Sequence, residues 1–115
     1  MKPVSGDLQT FKTEFFRALA HPVRIRILEV LVRGERPVGE IQQELGLEQS
    51  LVSQQLSILR SKNIVSARKD GTTVRYTVRD PLWGELLNVA RQIFDNHLVG
   101  TQSLLRALRR GRRHG

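Results

Sequence analysis

The chain contains no cysteine. Disulfides, thiolate metal sites, thiol redox sensing and cysteine nucleophiles are excluded together. That absence fits a reducing compartment, and a cytoplasmic location is the expectation. No apolar run approaches the roughly 20 residues a spanning helix needs, so no membrane partner is expected. The opening MKPVSGDLQTF lacks the apolar stretch of a secretory signal. Aromatic residues are few: Phe11, Phe15, Phe16, Phe94, Tyr76 and Trp83. There is no phosphate-cradling glycine loop and no spaced set of carboxylates and histidines resembling a catalytic site. An enzyme is therefore the weakest reading.

Acid is also missing from one end. The net charge is +8, and the last ten residues, RALRRGRRHG, hold five arginines and no acid, which leaves +3 for the other 105. Much of the basicity is thus a tail, a sequence-independent binder of polyanions at most, or simply a solvated terminus. The 115 residues suffice for one domain, expected over 1–105 with the basic tail at 106–115. A core this small often gains stability by dimerising.

What is present is periodic. Leu8, Phe11, Phe15 and Leu19 recur at spacings of three and four, predicting a helix over about 7–20 with Asp7 as N-cap. His21-Pro22 breaks and restarts the chain. Pro22 suits the first turn of a second helix lined by Ile25, Leu28, Leu31 and Val32 and stopped by Gly34. Pro37 opens a short third helix with Val38, Ile41 and Leu45 inward and Gly46 closing it. A fourth helix, about Glu48 to Lys62, turns Val52, Leu56 and Leu59 inward, with Asn63 as its C-cap.

The period then changes. IVSARKDGTTVRYTV alternates apolar or β-branched residues with basic ones around Asp70-Gly71. This is a hairpin signal, since a type I′ turn needs positive φ. Strands are expected near 64–69 and 73–78. Asp80-Pro81 starts a last helix whose broad apolar face runs through Leu86, Ile93 and Phe94, with Gly100 a possible break before Leu104, Leu105 and Leu108. The fold class is mainly α with a small β-hairpin, ordered α-α-α-α-β-β-α: a winged helix-turn-helix, expected to be dimeric.

The stretch LGLEQSLVSQQLSIL carries the functional information. Its outward positions hold serine and glutamine where a merely soluble helix would hold charge. Glutamine can pair bidentately with adenine, and serine can donate or accept at either strand. Gln49, Ser50, Ser53, Gln54 and Ser57 fall opposite the inward set and cluster toward the helix N-terminus, where recognition helices touch bases. Such residues also occupy idle helix faces, but the preceding short helix, Gly46 and the basic hairpin favour DNA reading. Arg68, Lys69 and Arg75 on the hairpin and Arg60 at the helix end suit a phosphate backbone, although edge charges and a solvated last turn explain them too.

These pieces together resemble the ArsR/SmtB family of bacterial winged-helix repressors over about residues 11 to 83. The resemblance is carried by ALAHPVRIRIL, LGLEQSLVSQQLSILR and the hairpin with DGTTVRYTV. It implies a homodimer that occupies a palindromic operator in double-stranded DNA and leaves when an inducer acts. The family's first and last helices form the dimer interface, and Phe11, Phe15, Leu19, Leu86, Ile93 and Phe94 are the matching apolar positions. The sequence departs from the family in two places. Where many members place a Cys-x-Cys pair at the start of the third helix, this chain has Arg36-Pro37-Val38-Gly39, which rules out thiolate sensing there. Other members bind zinc on the last helix through Asp-x-His and a second pair. Asp95 and His97 supply the first half, but Leu108 and Gly111 stand where the second would be. Two ligands do not hold a four-coordinate zinc, so no metal or other cofactor is expected. His21 is expected to cap a helix.

The leading expectation is a sequence-specific dimeric DNA-binding regulator, a repressor without the thiolate site; no inducing ligand is legible. The alternatives are a non-specific architectural or RNA-binding protein working through the arginine tail, and a winged helix used only for protein contacts.

Overall fold

The computed structural model describes the backbone of residues 2–114 and the side chains of residues 6–111. The chain forms two units, Met1–Trp83 and Gly84–Gly115. The side chains of the basic tail beyond residue 111 lie outside the described residues.

In the first unit α1 spans Lys2–Ala18. It starts earlier than its apolar period suggests, because Pro3 sits in the first turn, where a missing N–H costs nothing. Asp7 therefore lies inside the helix and is not its N-cap. After a short turn α2 runs Pro22–Leu31, with Pro22 in its first turn. His21 is the N-cap as expected: its Nδ1 accepts the Val23 N–H at 3.1 Å. Helix α3 (Val38–Leu45) ends on Gly46, whose φ of 66° lies in the left-handed region that glycine enters without strain. Helix α4 spans Gln49–Ser61. Asn63 stands one residue beyond the C-cap position expected for it, at φ 61°. Its N–H donates to the Arg60 carbonyl and the Ile64 N–H to that of Leu59, both at 3.0 Å. Those two bonds are a Schellman closure.

The core follows from the inward phases. Ile27, Leu28 and Leu31 from α2, Ile41 from α3, and Val52, Leu56 and Leu59 from α4 are all buried, with Ile64 and Val65 beneath them. Each such side chain contributes about 1.5–3 kcal/mol by leaving water. Helix α4 packs against both α2 and α3, which fixes which of its faces remains outside. Phe15 of α1 stacks on Trp83, with ring centroids 5.1 Å apart and planes 19° from parallel.

The sheet has one more strand than the hairpin pattern predicts. Strand β1 (Arg36–Pro37) pairs antiparallel with β3 (Thr73–Val78), which pairs with β2 (Val65–Asp70), giving the order β1-β3-β2. Pro37 is tolerated because β1 is an edge strand. Pro37, the expected first position of the third helix, is thus spent on this strand and serves as the N-cap of α3. In the hairpin Asp70 pairs with Thr73, so the loop is Gly71-Thr72 and Asp70 lies in the ladder. Among the described residues only Gly71 of the loop has positive φ, at 65°. A type I′ turn needs both central residues there, so the turn follows the II′ pattern, with glycine first.

Helix α5 runs Leu82–His114 and carries the second unit. Asp80 caps its start, accepting the Leu82 N–H at 2.9 Å. Gly100 does not interrupt it, and the helix continues through the arginine-rich end. From Arg91 to Gly111 every residue is exposed, including Ile93, Phe94, Leu98, Leu104, Leu105 and Leu108. Such a length of exposed apolar helix is surface suited to a partner.

Candidate nucleic-acid interface

The site is built on α4. Positions 52, 55, 56 and 59 share one face, and all four are buried. Ser50, Gln54 and Ser57 lie on the opposite face and are exposed, Gln49 and Arg60 are exposed on its flank near the two ends of the helix, and Ser53 between them is half-buried. Among the described residues none of the side chains of Gln49, Ser50, Ser53, Gln54 and Ser57 makes an intramolecular hydrogen bond, so their amides and hydroxyls are available to another molecule. The structure therefore brings the predicted reading residues together on one outward surface, as the helical phase requires.

One glutamine behaves differently. Gln55 is the buried polar residue of the core, at 6% exposure. Its Oε1 accepts Arg24 Nε at 2.9 Å, and Arg24 Nη1 also donates to the Ala18 carbonyl at 3.1 Å. A buried amide without a partner would cost about 1–3 kcal/mol, so Arg24 is what lets Gln55 occupy the core face. Neither residue was singled out from the sequence. The signal existed: Gln55 follows Val52 by three and precedes Leu59 by four, squarely in the inward phase.

The hairpin forms the wing. Arg68 and Arg75 are opposite one another in the β2–β3 ladder and so project from the same face. Like charges so placed repel, and each has an acid. Glu35, in the turn before β1, receives Arg68 bidentately, with Nε–Oε2 at 2.9 Å and Nη2–Oε1 at 2.6 Å. Asp70 accepts Arg75 Nε at 3.1 Å. Lys69, between them in sequence, has no ion-pair partner among the described residues. The hydrogen bond from Arg68 holds the Glu35 carboxyl below its ordinary value, and Glu35 raises Arg68 in turn. A carboxyl held low in the fold stabilises it at every pH above the unfolded value, and that contribution fades as pH falls through the lowered one. Glu35 was also missed from the sequence, since nothing local signals a pair 33 residues apart.

Two contacts position the site within the first unit. Arg26 Nη2 donates to the Leu45 carbonyl at 3.0 Å, closing the end of α3 onto α2. Arg79 Nη1 donates to Asn63 Oδ1 at 2.9 Å, tying the base of the wing to the end of α4. Of the residues matched to the family's dimer interface, Phe11, Ile93 and Phe94 are exposed, while Phe15, Leu19 and Leu86 are half-buried. Asp95 and His97 are exposed on α5, and among the described residues no group of three metal-binding side chains comes together.

A short helix, a tight glycine turn, a second helix with a polar outward face and a basic hairpin define a winged helix-turn-helix regulator of the DNA-binding kind. Comparison with known proteins agrees: the model of the bacterial regulatory protein arsR family matches residues 21–67. An uncharacterized HTH-type transcriptional regulator of Mycobacterium tuberculosis, Rv0081, is 46% identical over 108 residues, covering 93% of this chain and 95% of the relative. Its crystal structure superposes with a TM-score of 0.75 at 47% identity, over 82% of this chain and 95% of the other. A probable mercury resistance operon repressor of Streptomyces lividans is 46% identical over 77 residues, covering 67% of this chain and 62% of the relative. A homodimeric winged helix-turn-helix DNA-binding domain of Mycobacterium bovis, a possible ArsR-family regulator, superposes with a TM-score of 0.73 at 30% identity, over 82% of this chain and 87% of the other. The chain belongs to the arsR family of bacterial regulatory proteins. It is a transcriptional regulator, and the comparisons point to no enzyme.

Proposed function

We propose that the protein is a dimeric, sequence-specific repressor that holds a palindromic operator in double-stranded DNA and works in the cytoplasm without a metal. Helix α4 enters the major groove. Gln49, Ser50, Ser53, Gln54 and Ser57 read base edges, while Arg60, Arg68, Lys69 and Arg75 meet the phosphate backbone. Two copies join through α1 and α5, and Phe11, Phe15, Leu19, Leu86, Ile93 and Phe94 contribute apolar surface. The palindrome follows from that symmetry, because a two-fold protein presents two identical reading helices.

The observation that carries this reading is the polarity of α4. Its inner face is sealed by Val52, Leu56 and Leu59, each at 0% exposure. Its outer face offers unbonded amides and hydroxyls beside a basic wing. The dimer is supported by Phe11 and Phe94, exposed at 70% and 64%. Large rings so placed in a small domain are surface awaiting a partner. The experiment compares substitutions in the two kinds of contact. Gln54→Ala or Ser53→Ala relaxes sequence preference, whereas Arg75→Ala weakens binding to every duplex and flattens the salt dependence. Equal effects of both kinds on specific and random DNA contradict the assignment.

A further inference from the structure

We infer that Glu35 is a specificity-determining residue: it engages the wing's Arg68 and places a fixed negative charge beside the phosphates, suppressing sequence-independent DNA binding. The inference rests on the DNA-binding reading above and adds a restraint to it.

The geometry is that of a fork on a carboxylate. Both Glu35 oxygens are used, one by Nε and one by Nη2 of the same guanidinium. Glu35 comes from the turn ahead of β1, on the opposite side of the sheet order from β2. It is therefore an acid brought to the wing from elsewhere in the chain, unlike Asp70, which belongs to the hairpin itself. A phosphate approaching Arg68 meets a guanidinium whose best donor edge is already taken and a carboxylate that repels it. Of three wing cations, Arg68 and Arg75 are matched by Glu35 and Asp70, and only Lys69 is unpaired among the described residues. Random DNA, bound almost wholly through phosphates, gains less from such a wing than from one whose cations are all free. Cognate DNA also gains base contacts from α4, which do not depend on the wing's net charge. The acid therefore lowers the non-specific term more than the specific one.

The test measures binding of a random-sequence duplex against salt for wild type, Glu35→Gln and Glu29→Gln. Glu29 is an exposed acid of α2, so its loss changes net charge equally. Glu35→Gln is expected to bind random DNA several-fold more tightly at low salt, with a log–log slope steeper by about one. Glu29→Gln is expected to stay near wild type. Glu35→Ala supplies a second route: it removes the same charge and both carboxylate acceptors, so random-DNA binding rises here too. An unchanged or weaker interaction in Glu35→Gln, or an equal gain in Glu29→Gln, overturns the inference while leaving the regulator reading intact. If Glu35→Gln does not fold, unchanged or weaker binding by Glu35→Ala overturns it in the same way. Failure of the wild type to bind any duplex overturns both.

Discussion

Arg24 Nε lies 2.9 Å from Gln55 Oε1, and the same guanidinium reaches the Ala18 carbonyl at 3.1 Å. One side chain of α2 thus joins the end of α1 to the inner face of α4. The two partners act as a unit, since each leaves the other with an unmatched polar group when removed. A double-mutant cycle of Arg24→Ala and Gln55→Ala, followed by denaturant unfolding, should give a coupling of about 0.5–3 kcal/mol. Strictly additive losses would mean that the bond contributes nothing to the fold.

The two faces of α4 should separate stability from recognition. Leu56→Ala removes a fully buried side chain and should cost about 2–5 kcal/mol in unfolding free energy. Gln54→Ala, on the exposed face, should change stability by less than about 0.5 kcal/mol. The same change should cost about 1–3 kcal/mol of discrimination at one base position. Unfolding curves and competition binding read the two quantities independently.

The glycine turn between α3 and α4 sets the direction in which α4 leaves the turn. Gly46 sits at φ 66°, so Gly46→Ala should destabilise by about 1–2 kcal/mol although nothing lies within 4 Å of an added Cβ. A thermal melt unchanged from wild type would show that the turn can relax without strain.

Assembly should depend on exposed rings. Phe94→Glu places charge on an apolar surface and should shift the protein from dimer to monomer in sedimentation, with loss of palindrome binding. The separate unit ending in Trp83, held by its stack on Phe15, should keep its fold. A dimer that survives Phe94→Glu and Phe11→Glu together would place the interface elsewhere.

Much of this architecture is legible in the residues, and the exceptions have physical causes. Helices α2 to α4 declare themselves because apolar period, Pro22 and Gly46 agree on the same boundaries. The polar outward face of α4 is visible in the sequence because serine and glutamine replace charge on one side of a helix whose other side is aliphatic. Strand β1 was not visible: two residues show no alternation, and their partners Tyr76 and Arg75 lie far along the chain. Pro37 suits a helix start as well as an edge strand, and it serves both. The Glu35–Arg68 pair escaped for the same reason of distance. Gln55 is hard to place by residue type, because an amide signals an exposed position although its helical phase is inward. Gly100 looked like a break, yet one glycine costs a helix only about 1 kcal/mol and α5 continues through it.

The central claim is that the polar face of α4 reads base sequence, and selection of bound fragments from genomic DNA tests it most directly. Purified protein, with zinc or a chelator added in parallel, is predicted to enrich one inverted-repeat motif in every condition. Gln54→Ala is predicted to blur that motif at a symmetric pair of positions. Recovery of fragments without any shared motif, or a motif indifferent to Gln54 and Ser53, contradicts the account.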